Sequence, residues 1–235
     1  MTTFLDLQTA VQQRVIDLPP TVAAAVPRLI NQAIRTIQRK YNFRAMEQSV
    51  TMVTAVGSLT PTPNTIANFK EYRDKGPYLL RNLSEAKRFI TASEPDASMF
   101  ERADATLPDE PHFLFNTTDI STGATTFSIF PYPDALSDWN DAQYRIVVPV
   151  YVYSADLVNS GDANWFTNNA ADYIEREAAG QAFGLDWDYN SMAILLQEAD
   201  KKYKEIKLAD KTNRLSSVDT FVPMWQGANQ PQVRK

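Results

Sequence analysis

Apolar side chains recur at steps of three and four at both ends of this chain and at steps of two in its middle. Phe4, Leu7, Val11, Val15 and Leu18 form a first helical stripe, which Pro19-Pro20 stops because proline lacks the N–H a helix interior needs. A second stripe runs from Val22 through Val26, Leu29, Ile30, Ala33, Ile34 and Ile37 to Tyr41. Pro27 lies inside it, so the chain either kinks there or starts its true helix there. These stripes predict a helical hairpin over residues 1–44. The period then changes. Gln48–Val56 alternates polar and apolar residues, and Pro111–Phe115, Thr125–Phe130 and Tyr144–Tyr153 are rich in β-branched and aromatic residues bounded by turn formers. Residues 45–158 therefore read as β, with Pro149 expected at a sheet edge or a bulge. Ser84 to Ile90 and Ser98 to Ala103 are open between short helix and loop.

Residues 159–215 read as a helix pair. Phe166, Ala170, Tyr173, Ile174, Ala178, Gln181 and Leu185 share one face of the first helix, with Asp162 or Ser160 as its cap and Gly184 as its end. Asp186-Trp187-Asp188 turns the chain, and a carboxylate suits the positive end of the next helix dipole. On the second helix Tyr189, Met192, Leu196, Ala199, Tyr203 and Ile206 are spaced 3-4-3-4-3, a narrow seam for one neighbouring helix. The expected length is about 23 residues, or about 35 Å. The fold class that follows is α+β. The N-terminal hairpin and the C-terminal helix pair form a helical bundle, with a central antiparallel β region and an extended C-terminal tail over 216–235.

That tail carries Val218, Phe221, Val222, Met224 and Trp225 in an otherwise polar stretch too poor in apolar residues to fold alone. Such side chains are costly to leave in water, and Trp and Met favour interface cores. They are the candidate partner-binding residues. Folding back onto the same subunit is the competing expectation.

Charge and composition narrow the function. Residues 1–44 carry a net +4, residues 45–160 a net −7 and residues 161–235 a net −2. An acidic whole with one modestly basic segment argues against sequence-specific DNA binding. With no cysteine there is no thiolate nucleophile, disulfide or cysteine zinc site, and the single histidine, His112, excludes paired-histidine metal motifs. No nucleotide-binding or nucleophile motif occurs. Three carboxylate groups could nominally hold a cation: Asp134/Asp138/Asp141, Asp104/Asp109/Glu110 and Asp186/Asp188. Turns and helix caps explain their positions better. Neither a signal peptide nor a membrane span is expected, and no enzymatic activity and no cofactor are expected either.

The order of these parts resembles the head-to-tail adaptor, or connector, proteins of short-tailed bacteriophages. The resemblance rests on Val26-Pro27-Arg28-Leu29-Ile30-Asn31-Gln32-Ala33-Ile34 leading into Tyr41-Asn42-Phe43-Arg44. It rests also on Phe127-Ser128-Ile129-Phe130-Pro131-Tyr132-Pro133-Asp134 with the strand that follows, and on Asp162-Ala163-Asn164-Trp165-Phe166 at a helix start. Such a resemblance implies a virion structural protein, made in the host cytoplasm and placed at the head–tail junction. It implies a homo-oligomeric ring of twelve copies bound to the portal, extending the DNA channel. Tail tube, nozzle or tail-fibre proteins would dock below, and genomic DNA would pass through without sequence-specific binding. Two other classes stay open on the residues alone: a non-enzymatic cytoplasmic protein-binding module, and a metal-dependent nuclease built from Pro133-Asp134 and Glu205-Ile206-Lys207.

Overall fold

The computed structural model describes residues 1–73, 76–80, 86–88, 90–92, 110–119, 124–131, 133–134 and 143–218. It is α+β, and the chain divides into two compact units: Met1–Ala45 with the chain from Asp156 onward, and Met46–Ala155.

The first unit is helical. Helix α1 (Phe4–Arg14) starts at a capping box, in which the Thr3 hydroxyl accepts the Asp6 N–H and the Asp6 carboxylate accepts the Thr3 N–H. It buries Phe4, Leu7 and Val11 and stops at Arg14, one turn short of the predicted end. Val15 is buried beyond the last turn, and a four-residue helix α2 (Pro20–Ala23) follows. Helix α3 (Val26–Lys40) has Pro27 in its first turn, where the missing N–H costs no hydrogen bond, so the proline marks a start and not a kink. Its stripe of Val26, Leu29, Ile30, Ala33, Ile34 and Ile37 is buried throughout.

After the second unit the chain returns through α4 (Trp165–Asn169), α5 (Ala171–Leu185) and α6 (Tyr189–Val218). The expected single helix from 161 to 184 is thus two helices, broken at Ala170. The cap of α4 is Asn164, boxed with Thr167. Asp162 instead closes a preceding turn, accepting the N–H groups of Val158 and Asn159 at 2.8 Å each. Helix α5 lies against α1, α3 and α6, with Tyr173, Ile174, Ala178, Ala179 and Ala182 in the core. Helix α6 has 30 residues, about 45 Å, and continues through Val218.

The second unit holds two sheets. One has the order β1 (Glu47–Val53), β9 (Arg145–Val152), β4 (Tyr78–Leu80), β5 (Ala86–Arg88), with β3 (Phe69–Tyr72) also paired to β9. The other has the order β2 (Thr65–Ile66), β8 (Thr125–Phe130), β7 (Phe113–Thr118), β6 (Ile90–Ala92). Among the described residues every pairing is antiparallel except β6 with β7. Strands therefore occupy Ala86–Arg88, inside the Ser84 to Ile90 stretch that the sequence left open between helix and loop, and Ile90–Ala92 at its end. Met52, Leu79, Ile146, Val148 and Val150 of one sheet share a core with Ile66, Leu114, Phe127 and Ile129 of the other.

Pro149 is neither at an edge nor in a bulge. It lies in the central strand β9, opposite Ser49 of β1, at the point where the other neighbour changes from β4 to β3. Its carbonyl accepts the Arg73 N–H at 2.8 Å, so the ring nitrogen faces that same side, in the gap between two short strands. The lost donor falls where the ladder is already interrupted.

Candidate interaction surfaces

The α5–α6 hairpin is held close by glycine. A Cβ on Gly180 would lie 3.1 Å from Leu196 Cδ2, and one on Gly184 would lie 2.9 Å from Met192 Sδ. Gly184 is therefore inside α5 as a contact point for α6, not its terminator. The left-handed residue at the turn is Trp187, with φ 63°. A tryptophan in that region is strained, since its Cβ crowds the backbone where glycine would not. Asp188 caps α6 by accepting the Ser191 N–H at 3.1 Å, and hydrogen bonds from Ser191 hold its carboxyl below the ordinary value.

Along α6 the predicted seam is only half covered. Ala199 is buried, Met192, Leu196, Tyr203 and Ile206 are half-buried, and Tyr189 is exposed. The seam gains a residue that the apolar pattern did not show. Asp210, four positions after Ile206, is buried and accepts the Arg44 N–H at 3.1 Å and Arg214 Nε at 3.0 Å. Arg214 also donates to the Asn42 carbonyl, so one carboxylate pins the far end of α6 to the 42–44 segment. The signal was the Asp210–Arg214 spacing of four on the seam side, a helical ion pair.

Cations and aromatic rings alternate beside it. Lys40 Nζ lies 5.7 Å from the Tyr173 ring and 5.6 Å from that of Tyr203; Lys207 Nζ lies 5.2 Å from Tyr41 and 5.9 Å from Tyr203. The Arg214 guanidinium lies 5.8 Å from Tyr41. These contacts fasten the basic end of α3 to α6. Burial, with Glu177 nearby, pushes the Tyr173 phenol far up from its ordinary value. Asn31 does equivalent work at the middle of α3, donating to the Leu157 carbonyl at 2.9 Å and accepting its N–H at 2.8 Å. Phe43 packs on Trp165 and Phe166 at ring distances of 5.6 and 5.4 Å.

Of the candidate partner-binding residues, Val218 is the last residue of α6, so the helix extends past the expected end at 215. Phe221, Val222, Met224 and Trp225 lie outside the described residues, as do Asp104, Asp109, Asp138, Asp141 and Ser98 to Ala103. Asp134 accepts the Tyr144 hydroxyl at 2.6 Å, Glu110 is buried, and His112 is exposed at the start of β7 with its N–H on the Phe130 carbonyl. Glu205 and Lys207 sit on a helix. Among the described residues no three or more His, Cys, Asp or Glu side chains converge as a metal site would require, and no helix is long and apolar enough to cross a membrane.

What the helical unit offers is surface. Trp187, Ile194 and Leu208 are 77%, 60% and 65% exposed, and they lie on one hairpin and its long second helix. Apolar side chains displayed on a helix pair are surface that contacts with other chains can cover. The comparison with known families agrees. The family model described as SU10 adaptor protein matches residues 2–223, and the chain belongs to that family, a bacteriophage structural adaptor and component of the virion. No curated protein matches the chain.

Proposed function

We propose that this adaptor forms a ring of twelve copies beneath the portal, extends the DNA channel and carries tail components below. The observation that carries the reading is α6: a helix of about 45 Å with one half-covered seam and apolar residues left outside it. Those displayed residues are available for contact with neighbouring chains. A ring takes a heterologous interface, one face of a subunit meeting a different face of the next. The acidic balance of the whole chain, −5, lets DNA pass without being held. In this reading Val218, Phe221, Val222, Met224 and Trp225 form a docking arm for the portal or a neighbouring subunit, continuing from the end of α6.

Electron microscopy of the purified full chain, alone and mixed with portal, tests the ring: stacked annular particles support it. Removal of residues 219–235 tests the arm. The shortened protein is expected to keep its melting temperature and lose attachment to the portal. Attachment retained alongside a large drop in melting temperature would assign the tail to the subunit's own core.

A further inference from the structure

The tip of the α5–α6 hairpin is an unusual thing for a soluble chain to build. Leu185, Trp187 and Tyr189 are all exposed, and the Trp187 and Tyr189 rings meet edge to face at 6.2 Å. Trp187 is held in the left-handed region, a conformation that glycine would adopt freely, and is more than three-quarters exposed there. Strain that presents a large aromatic to solvent is not repaid within the described subunit.

The same unit carries a receptor of matching character. Arg14 of α1, Phe183 of α5 and Ser191, Ile194 and Leu195 of α6 line a pocket of about 360 Å³. That is within the range of about 300–1,000 Å³ that accommodates compact ligands, and its walls are mainly apolar. Among the described residues, none of the Leu185–Tyr189 tip lines the pocket of its own chain. Charges also correspond. The tip carries the exposed carboxylate of Asp186, while the pocket's one cation is Arg14. The bridge from Arg14 Nη2 to Glu175 at 3.2 Å leaves most of the five guanidinium donors for another acceptor.

We infer that the Trp187–Tyr189 knob of one subunit enters the Arg14/Phe183/Ile194/Leu195 pocket of the next, with Asp186 meeting Arg14. The occupant is a second copy of this chain, and the inference rests on the ring reading above. Each subunit then gives its knob to one neighbour and receives a knob from the other, a heterologous contact that repeats around a ring. Two aromatics bury about 300–500 Å² between them, roughly half of what one side of a stable interface needs. The knob is thus the anchor of a larger contact to which the flank of α6 contributes.

Two variants of the full chain test this. Trp187→Gly removes the knob and relieves the left-handed strain, so the subunit keeps or raises its melting temperature. Ile194→Asp spoils the pocket at an exposed position. Sedimentation and electron microscopy, alone and with portal, are expected to show rings for the natural chain and self-association weakened about 30-fold or more for each variant. Mixed one to one, the variants should give dimers and no larger species, because each retains the half the other lacks. Rings of Trp187→Gly indistinguishable from those of the natural chain overturn the knob and leave the ring reading standing. A mixture that stays monomeric overturns the pairing of knob with pocket. Intact rings that no longer join a head or tail component would make the occupant another protein, which also overturns it. A natural chain that forms no ring under any of these conditions overturns the ring reading itself.

Discussion

Helices α3 and α6 both carry an apolar stripe in sequence, and the two stripes have very different fates in the fold. The stripe of α3 is sealed: Val26, Leu29, Ile30, Ala33, Ile34 and Ile37 are all buried. That of α6 is half open, and Ile194 and Leu208 stand outside it altogether. Helix α3 packs on α1 and α5 at once, whereas the main neighbour of α6 is α5. Periodicity reports that a helix has an apolar face; the number of neighbours decides how much of that face leaves water. The unfilled remainder is what an assembly protein can present to other chains.

The contrast can be broken from its strong side first. Ile37→Ala should cost about 2–5 kcal/mol in denaturant unfolding, because the site is fully buried between helices and cannot collapse freely. Asp210→Ala should cost about 1–3 kcal/mol, since it removes the carboxylate that accepts from the Arg44 N–H and from Arg214 Nε. Arg44→Ala should cost much less, because the Arg44 bond to Asp210 comes from the backbone. Leu196→Ala should fall near 1–2 kcal/mol, below the Ile37 value, as only part of the side chain leaves water on folding. A Leu196 cost equal to that of Ile37 would mean that α6 is as enclosed as α3, against the comparison.

The smallest effect concerns acid. Backbone N–H groups of Asn159 and Val158 hold Asp162 below the ordinary 3.8, and hydrogen bonds from Ser191 do the same for Asp188. A carboxyl depressed in the folded state stabilises fully above its unfolded value and loses that contribution as pH falls through the lower, folded one. Thermal melts should therefore be flat above about pH 5 and decline below 3.8 as these turns are protonated. Asp188→Asn, which keeps an acceptor and removes the titration, should make that decline shallower.

Much of the helical unit was legible residue by residue. The 3.6 period located the helices, and proline's missing donor placed the start of α3 at the turn holding Pro27. The break at Ala170 was not legible, because the residues on both sides continue one apolar face. Gly184 misled for a related reason: a glycine near a helix end reads as a terminator, but here it makes room for Met192. Asp210 was hidden because a carboxylate on a seam looks solvated until its backbone partner, in a segment more than 160 positions earlier, is brought beside it.

By itself the sequence determined the main helices and long strands, the α+β class and the kind of protein, since local periodicity and the order of motifs are properties of neighbouring residues. Which apolar residues are sealed and which are displayed was decided only in the tertiary structure. So were the place of Pro149 in a central strand and the left-handed Trp187 at the hairpin tip. Burial, register and strain depend on residues far apart in the chain, and no local pattern encodes how many neighbours a helix or strand will find.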